Sequence, residues 1–407
     1  MSAPPGPLVA RTRAVPGPLD LVDLAGADGQ LHVQGGVGLA GRGVVARGEL
    51  AQVTAVLASV ELDDEVGRPG TGAVAFGALP FLDDRPGELV VPEVVWGAGP
   101  DGRSWVTTIG PADAPPPDVA ALCWAATSGP PTAIGPVRVE PVRDPAWWCA
   151  LVARATEAMR ASDGRLSKVV LARELVAEAE AAFDRTGILR RLQAAYPDCF
   201  VFLVDGFLGA SPELLVGRSG ERVHAQPMAG TAPRGGDPSS DAALAADLLS
   251  STTYRREHQI TIDMVYDTLL PWCSYLDYEA EPSIVRMANV QHLATLVEGR
   301  LSQPEPSILE LVQALHPTPA VCGWPRAAAQ AWIQEHEGFD RGHYAGTVGW
   351  VDARGNGTWA VAIRCAEVHG STARLYAGNG IIADSDPDTE LAETEAKLSA
   401  MLSALAP

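Results

Sequence analysis

Apolar positions recur along this chain at two spacings, and the spacing changes several times. After Asp144-Pro145, Trp147, Leu151, Ala155 and Met159 follow at four-residue steps. That pattern predicts a helix with Asp144 as its N-cap and Pro145 at its first position, ending near Gly164. A shorter helical stretch is expected around Ile188–Ala195. A long one should cover roughly Thr252–Leu270, with Ile262, Val265 and Leu269 on its core stripe and Thr261, Met264 and Thr268 on another face. A closing helix should run from about Thr389 to Leu405. Between the helices, β-branched and apolar runs predict strands at Ser167–Arg173, Phe200–Val204 with a continuation to Leu208, Val223–Gln226, Thr358–Cys365 and Ala373–Ala377. The Val223–Gln226 run leads straight into Pro227-Met228-Ala229-Gly230-Thr231.

Residues 1–112 read as short strands punctuated by Gly and Pro, for instance Leu31–Val37 and Gly72–Phe76. Residues 113–143 lie in a Pro-, Ala- and Gly-rich stretch, Pro111 to Pro141, that predicts a long surface connection. Residues 144–407 carry the clear helices and the strongest strands. Strands and helices mix without a regular βαβ beat, and turn-separated strand pairs are common. This favours an α+β fold with antiparallel sheets over a doubly wound one. The connection need not divide domains, because the short strands before it can complete a sheet begun after it. No internal repeat of roughly 20–50 residues is visible.

Composition narrows the function classes. Hydrophobic residues make up 47% of the 407 and aromatic ones only 6%, so the core must be aliphatic and alanine-rich. A formal net charge of -20 repels phosphate backbones and argues against a nucleic-acid partner. A small anionic substrate would need a local cationic pocket or a bound metal. The six cysteines (Cys123, Cys149, Cys199, Cys273, Cys322, Cys365) show neither C-x-x-C nor zinc spacing, and are expected to be reduced and mostly buried. Met1 to Leu24 carries Pro and Arg where a signal peptide needs an apolar run. There is no stretch of ~20 apolar residues. The protein is expected to be soluble and cytoplasmic.

Several side chains could carry chemistry, and each has a plainer reading. Lys168 shares a strand face with Val170 and Ala172; it is a solvated strand end, or else a buried lysine able to act as a general base. Glu213 sits in a tight turn, where an acid is ordinarily just solvated. Glu257 lies early on the long helix. Glu390, Glu393 and Lys397, at i, i+3 and i+7 on the closing helix, form an ordinary salt-bridged solvent face unless something covers them. Gly378-Asn379-Gly380 follows a strand and could offer backbone N–H groups to an anion, although a lone Gly-x-Gly usually marks a turn.

Taken in order, ten segments resemble the chorismate-utilising family of anthranilate, aminodeoxychorismate, isochorismate and salicylate synthases. They are Ser167–Arg173 (SKVVLAR), Gly209–Leu215 (GASPELL), Gln226–Thr231 (QPMAGT), Arg255–His258 (RREH), Gln291–Thr295 (QHLAT), His316–Gly323 (HPTPAVCG), Phe339–Trp350 (FDRGHYAGTVGW), Ile363–Ala366 (IRCA), Ala377–Ile381 (AGNGI) and Glu393–Leu398 (ETEAKL). Gly77–Phe81 and Val90–Pro92 look like the family's early strands. The resemblance implies a single large two-lobed α+β domain like anthranilate synthase component I, with central antiparallel sheets, outer helices and an active-site cleft.

It also implies roles. Glu257 and Glu393 match the family's magnesium ligands, with Glu390 a candidate in the metal's outer shell. Arg364, Tyr344, Lys397 and the amides of Gly378 and Gly380 match positions holding the substrate's carboxylates, and His292, Thr231 and Gly230 match cleft-lining positions. Glu213 matches the general acid and Lys168 the general base. Ammonia-using branches typically have glutamine where Lys168 stands, and aminodeoxychorismate synthases commonly place a nucleophilic lysine where this chain has Ala229. Both positions point to water as the nucleophile, as does the lack of a glutamine amidotransferase domain. The resemblance is therefore closest to isochorismate synthases. A salicylate synthase, which goes on to eliminate pyruvate, is the alternative, and a catalytically silent regulator or scaffold is a third reading. The substrate pair would be chorismate and isochorismate, with no nucleic acid and no membrane, in a monomer or weak homodimer. Siderophore and menaquinone pathways are both compatible. Two positions depart from the family pattern: Tyr254 stands where an acid is common, and Asn379 replaces a small apolar residue.

Overall fold

The computed structural model describes residues 7–82, 85–115, 118–124, 135–234, 237–287 and 290–406. Its framework is two large sheets, one of thirteen strands and one of nine, with a three-stranded sheet beside them. Each large sheet draws strands from both sides of the Pro-rich connection. In the larger, Phe200–Val204 pairs with Gln30–Gln34, placing Phe202 opposite His32. In the smaller, Thr347–Asp352 pairs with Val74–Leu79. The early strands thus complete sheets begun by the later ones. Nearly all pairings are antiparallel; Leu8–Val15 against Glu61–Asp64 is parallel. The largest buried cluster is aliphatic and alanine-rich and includes Leu171, Val216, Leu311 and Ala360.

Helix starts fall where capping residues predict them. Pro145–Ala161 is capped by the Asp144 side chain, which accepts from the Ala146 N–H. Thr252–Leu269 is capped by Ser251 and buries Ile262, Val265 and Leu269; Thr261, expected away from that stripe, is buried as well. The closing helix, Pro387–Leu405, begins two residues earlier than expected because Asp386 caps it and Pro387 occupies its first turn.

Strand limits differ more. The Leu31–Val37 run is a hairpin: Gln30–Gln34 turns through Gly35-Gly36, both at positive φ, into Val37–Arg42. Phe200–Leu208 likewise divides at Asp205-Gly206 into Phe200–Val204 and Phe207–Ser211. The run into Thr231 also breaks, because Met228–Pro233 leaves Arg222–Gln226 to pair with Val290–Ala294 in the small sheet. Thr358–Cys365 splits into Gly357–Val361 and Cys365–His369, with Arg364 at φ 54° between them. Of the Pro-rich stretch, residues 116–117 and 125–134 lie outside the described residues. Val119–Trp124 is helical and Val137–Pro141 is an edge strand on Lys168–Ala179.

Three features of this framework shape a cleft. Lys168–Ala179 pairs along its length with Thr372–Ile381, while Cys365–His369 covers the other edge of Thr372–Ile381 only as far as Leu375. Pro212-Glu213 is the link by which the chain leaves the larger sheet after Ser211 and enters the smaller at Leu214. The start of Thr252–Leu269 and that of the closing helix both face this region.

Candidate active site

A cleft of ≈ 510 Å³ lies between the two large sheets, under the two long helices. Lys168, Glu213, Gly230, Thr231, Glu257, His292, Tyr344, Arg364, Gly378, Gly380, Glu390, Glu393 and Lys397 all line it. Residues 229 positions apart in sequence, Lys168 and Lys397, thus share one cavity wall system. The plain readings of Lys168 as a solvated strand end, and of Glu213 as a solvated turn acid, do not hold.

Lys168 opens its strand yet is only 5% exposed, and its Nζ donates to Glu257 Oε1 at 2.8 Å. Its stem lies flat on the neighbouring strand at Gly380, where an added Cβ would stand 2.5 Å from Lys168 Cε. Gly378 plays the same part for Tyr344, whose hydroxyl would meet an added Cβ at 2.9 Å. The two glycines therefore clear space for the lysine and the phenol, on the strand edge left open beyond Leu375.

Glu213 is 4% exposed, and among the described residues the one hydrogen bond to its carboxyl is the long contact from the Met228 N–H at 3.4 Å. Among the described residues no ion pair is formed with it. Burial pushes its carboxyl up to about 8, against the opposing charges of Lys168 and Arg364. It therefore holds a proton at neutral pH.

On the substrate side, Arg364 Nη2 lies 3.4 Å from His292 Nε2, and His292 Nδ1 lies 3.1 Å from Thr231 Oγ1. A guanidinium can only donate, so Nε2 accepts and Nδ1–H points to Thr231. Burial holds the imidazole well below its usual range, hence neutral. Tyr344 stacks on Tyr376 with centroids 5.0 Å apart, and burial raises its phenol pKa. Gly230, Ala345 and Arg364 all adopt positive φ here, and for the two non-glycine residues this is stored strain beside a cleft.

The closing helix contributes a tied cluster. Lys397 Nζ donates to Glu393 Oε1 at 2.6 Å, Asn379 Oδ1 at 2.8 Å and Gly378 O at 2.9 Å. Glu390 accepts from Ser385 Oγ at 2.7 Å and from Asn379 Nδ2 at 2.9 Å, and burial raises its pKa. The expected solvent face thus packs toward the sheet, with Lys397 buried and Glu390 and Glu393 half-buried at the cleft rim. Tyr254, the other departure, lines the cleft as a neutral phenol, its pKa raised first by burial and then by Glu393 and Glu257.

For a divalent cation, the donor set is sparse. Among the described residues no three His, Cys, Asp or Glu side chains cluster as a ready metal cage. Glu257 and Glu393 each give one oxygen to a lysine and leave the other open to the cleft. Two carboxylates completed by waters and an anionic oxygen fit magnesium, which dehydrates reluctantly, better than a cation needing an all-protein cage.

Behind the cleft lies a group that periodicity alone did not single out. Arg341 (2% exposed side chain) forms a two-pronged ion pair with Glu337 (1%), at 2.6 and 2.7 Å. The same guanidinium donates to Val170 O and Val321 O, and Glu337 accepts from the Ala172 N–H. It thereby joins the Lys168 strand to the Val321 wall. The i, i+4 spacing of Glu337 and Arg341 was the available signal, but it reads equally as a surface pair. Ser385, which holds Glu390, had no signal.

Comparison with known proteins follows the same lines. Residues 127–406 match the model of a family described as chorismate binding enzymes. A Mycobacterium tuberculosis protein with the provisional name isochorismate synthase MenF is 44% identical over 353 residues, 83% of this chain and 88% of its own. Isochorismate synthase DhbC of Bacillus subtilis is 43% identical over 257 residues, 60% of this chain and 65% of its own. Among solved structures, the menaquinone-specific isochorismate synthase MenF of Escherichia coli superposes with a TM-score of 0.83, covering 100% of this chain and 96% of that one at 24% identity.

Proposed function

The chain belongs to the chorismate-binding enzymes, and from that premise we propose that it is an isochorismate synthase, converting chorismate to isochorismate. The observation carrying the reading is the pairing, in one cleft, of Lys168 with a buried carboxyl at Glu213 that stays protonated to about pH 8. Replacing the ring C4 hydroxyl by a C2 hydroxyl needs one group to take a proton and one to give it, and those groups must differ in proton affinity. Relatives named isochorismate synthase, at 43–44% identity, support the same assignment.

In this reading Lys168, in its amine form, takes a proton from the water that attacks C2. Glu213 gives its proton to the hydroxyl leaving C4, and the ring double bonds shift. One water enters and one leaves, so the product is an isomer of the substrate. Arg364, Tyr344 and the N–H groups of Gly378 and Gly380 orient the carboxylates, and neutral His292 holds the Arg364 head in place from behind. Ala229 leaves no amine in the loop that could attack the ring covalently. Glu257 and Glu393 would hold Mg²⁺, which would supply positive charge toward the substrate's ring carboxylate. Such charge is needed, because the basic side chains of the cleft, Lys168, Arg364 and Lys397, are outnumbered by the acids Glu257, Asp384, Asp386, Glu390 and Glu393. The substrate is a small dianion. We place the enzyme in the cytoplasm as a monomer or weak dimer without a nucleic-acid partner; no described helix is long and apolar enough to cross a membrane.

Whether the reaction stops at isochorismate is a matter of shape. Eliminating pyruvate requires the enolpyruvyl side chain to fold over the ring, and the apolar wall of Ala320 and Val321 favours an extended side chain. Purified enzyme incubated with chorismate and Mg²⁺ should approach a mixture of chorismate and isochorismate with little pyruvate. Stoichiometric pyruvate and salicylate at neutral pH would replace this assignment with a salicylate synthase.

A further inference from the structure

The strand that carries Lys168 is paired along one edge by Thr372–Ile381, but its other edge is covered in two pieces. Gly323-Trp324 pairs with Lys168 and Val169, and Val137–Pro141 pairs with Leu175–Ala179. The Val170 carbonyl and the Ala172 N–H fall in the gap between them, and the Glu337–Arg341 pair stands in for the missing strand. Glu337 Oε1 accepts from the Ala172 N–H at 2.6 Å, and Arg341 Nη2 donates to Val170 O at 2.6 Å. The same fork reaches a second segment, because Arg341 Nη1 donates to Val321 O at 3.0 Å. The guanidinium carbon lies 4.3 Å from the Phe81 ring centroid, and the Phe81 carbonyl accepts from His316 Nε2 at 3.1 Å. His316 opens the segment that leads to Ala320-Val321. Val170, Ala320 and Val321 line the cleft. One buried, planar cation thus holds both the Lys168 strand and the apolar wall from behind.

We propose that Arg341 is a positioning residue for product specificity: by spanning Val170 O and Val321 O, its guanidinium fixes how far the Ala320–Val321 wall stands from the Lys168 strand and so keeps the enolpyruvyl side chain extended. The inference rests on the isochorismate reading above. The onward reaction that the wall prevents is intramolecular. In it the hydrogen on ring C2 moves to the methylene carbon of the enolpyruvyl group, the bond from ring C3 to the ether oxygen breaks, and the ring becomes aromatic. Isochorismate then gives salicylate and pyruvate with no other reactant. That step needs the side chain over the ring, hence room beside the wall. Arginine suits the task because its nitrogens sit at fixed places in one plane. A lysine ammonium is a point donor on a flexible stem, and does not hold two carbonyls of different segments at a set spacing.

The test is the ratio of pyruvate to isochorismate formed from chorismate and Mg²⁺ by wild type and Arg341→Lys, after subtraction of the enzyme-free rate. Arg341→Lys keeps a positive charge beside Glu337 and leaves every cleft-lining side chain unchanged. Because a misplacement of about 1 Å can change a rate by about 10²-fold, the ratio should rise by about tenfold or more. A merely structural role would lower the folded fraction and reduce both products together, leaving the ratio where it was. A ratio equal to that of wild type in the folded variant therefore overturns the proposal, whatever the turnover, and so does loss of both products. Should Arg341→Lys not fold, Glu337→Leu with Arg341→Met, which buries no charge, carries the same expectation. Stoichiometric pyruvate from wild type sinks the isochorismate reading itself. Low pyruvate release from wild type and folded variant alike is a different result, and sinks only the role of Arg341.

Discussion

Glu213 and Glu337 are the same residue type at nearly the same burial, 4% and 1% exposed, but Glu213 lines the cleft and Glu337 does not. Glu337 has everything a buried carboxylate needs: both oxygens on Arg341 and a backbone N–H from Ala172. Glu213 has almost nothing, a single 3.4 Å contact from Met228. The first is a satisfied ion pair that stitches strand to wall; the second is an unsatisfied group that keeps its proton to about pH 8. Burial alone therefore does not leave an acid without a partner. What distinguishes the two is the missing partner, which leaves Glu213 able to lose and regain a proton where substrate can reach it.

The comparison can be broken from either end. The largest effect should come from Glu213→Gln, which cannot donate a proton: turnover should fall by roughly 10²–10⁴-fold with the fold intact by circular dichroism. Near-normal rates would remove Glu213 from the chemistry. Next in size, Glu337→Gln should destabilise the protein by about 3–5 kcal/mol in chemical denaturation, because it strands the Arg341 charge. Replacing both partners by apolar residues (Glu337→Leu with Arg341→Met) should recover much of that loss, as burying no charge is often no worse than burying a pair. If the double variant is as unstable as the single, the backbone contacts to Val170, Val321 and Ala172 outweigh the pair.

Per unit of pH the effect is smaller, and it sharpens the contrast through titration. Glu213 has a folded pKa near 8 against an ordinary 4.5, so the native state binds the extra proton between those values. Its contribution to stability is intact below 4.5 and is lost as pH rises toward 8, at up to about 1.4 kcal/mol per pH unit. Glu213→Gln should lack this slope and be the more stable protein at pH 8. Equal pH dependence in the two proteins would show that Glu213 titrates normally.

Much of this could be read from residues in order, and the rest fails for identifiable reasons. Helix starts were legible because capping is local: Asp144 and Pro145 need no partner elsewhere. The hairpins at Gly35-Gly36 and Asp205-Gly206 were missed although Asp-Gly is a hairpin signal, because the apolar run continued across each turn. The motif residues, from Lys168 to Lys397, were recognised together by resemblance, while periodicity left each with a plainer reading. Lys168 shows why: its burial is decided by Glu257, 89 positions away, and by the empty face of Gly380. Glu337 and Arg341 could not be singled out, because their i, i+4 spacing does not reveal which segment will cover them.

The most direct test is infrared spectroscopy of the substrate-free enzyme across pH. Wild type should show at pH 7 a protonated-carboxyl stretch that disappears near pH 8, is absent in Glu213→Gln and persists in Asp388→Asn, a surface control at the start of the closing helix. Wild-type and Glu213→Gln spectra that match in the protonated-carboxyl region at pH 7 would contradict the account of Glu213 as the waiting acid.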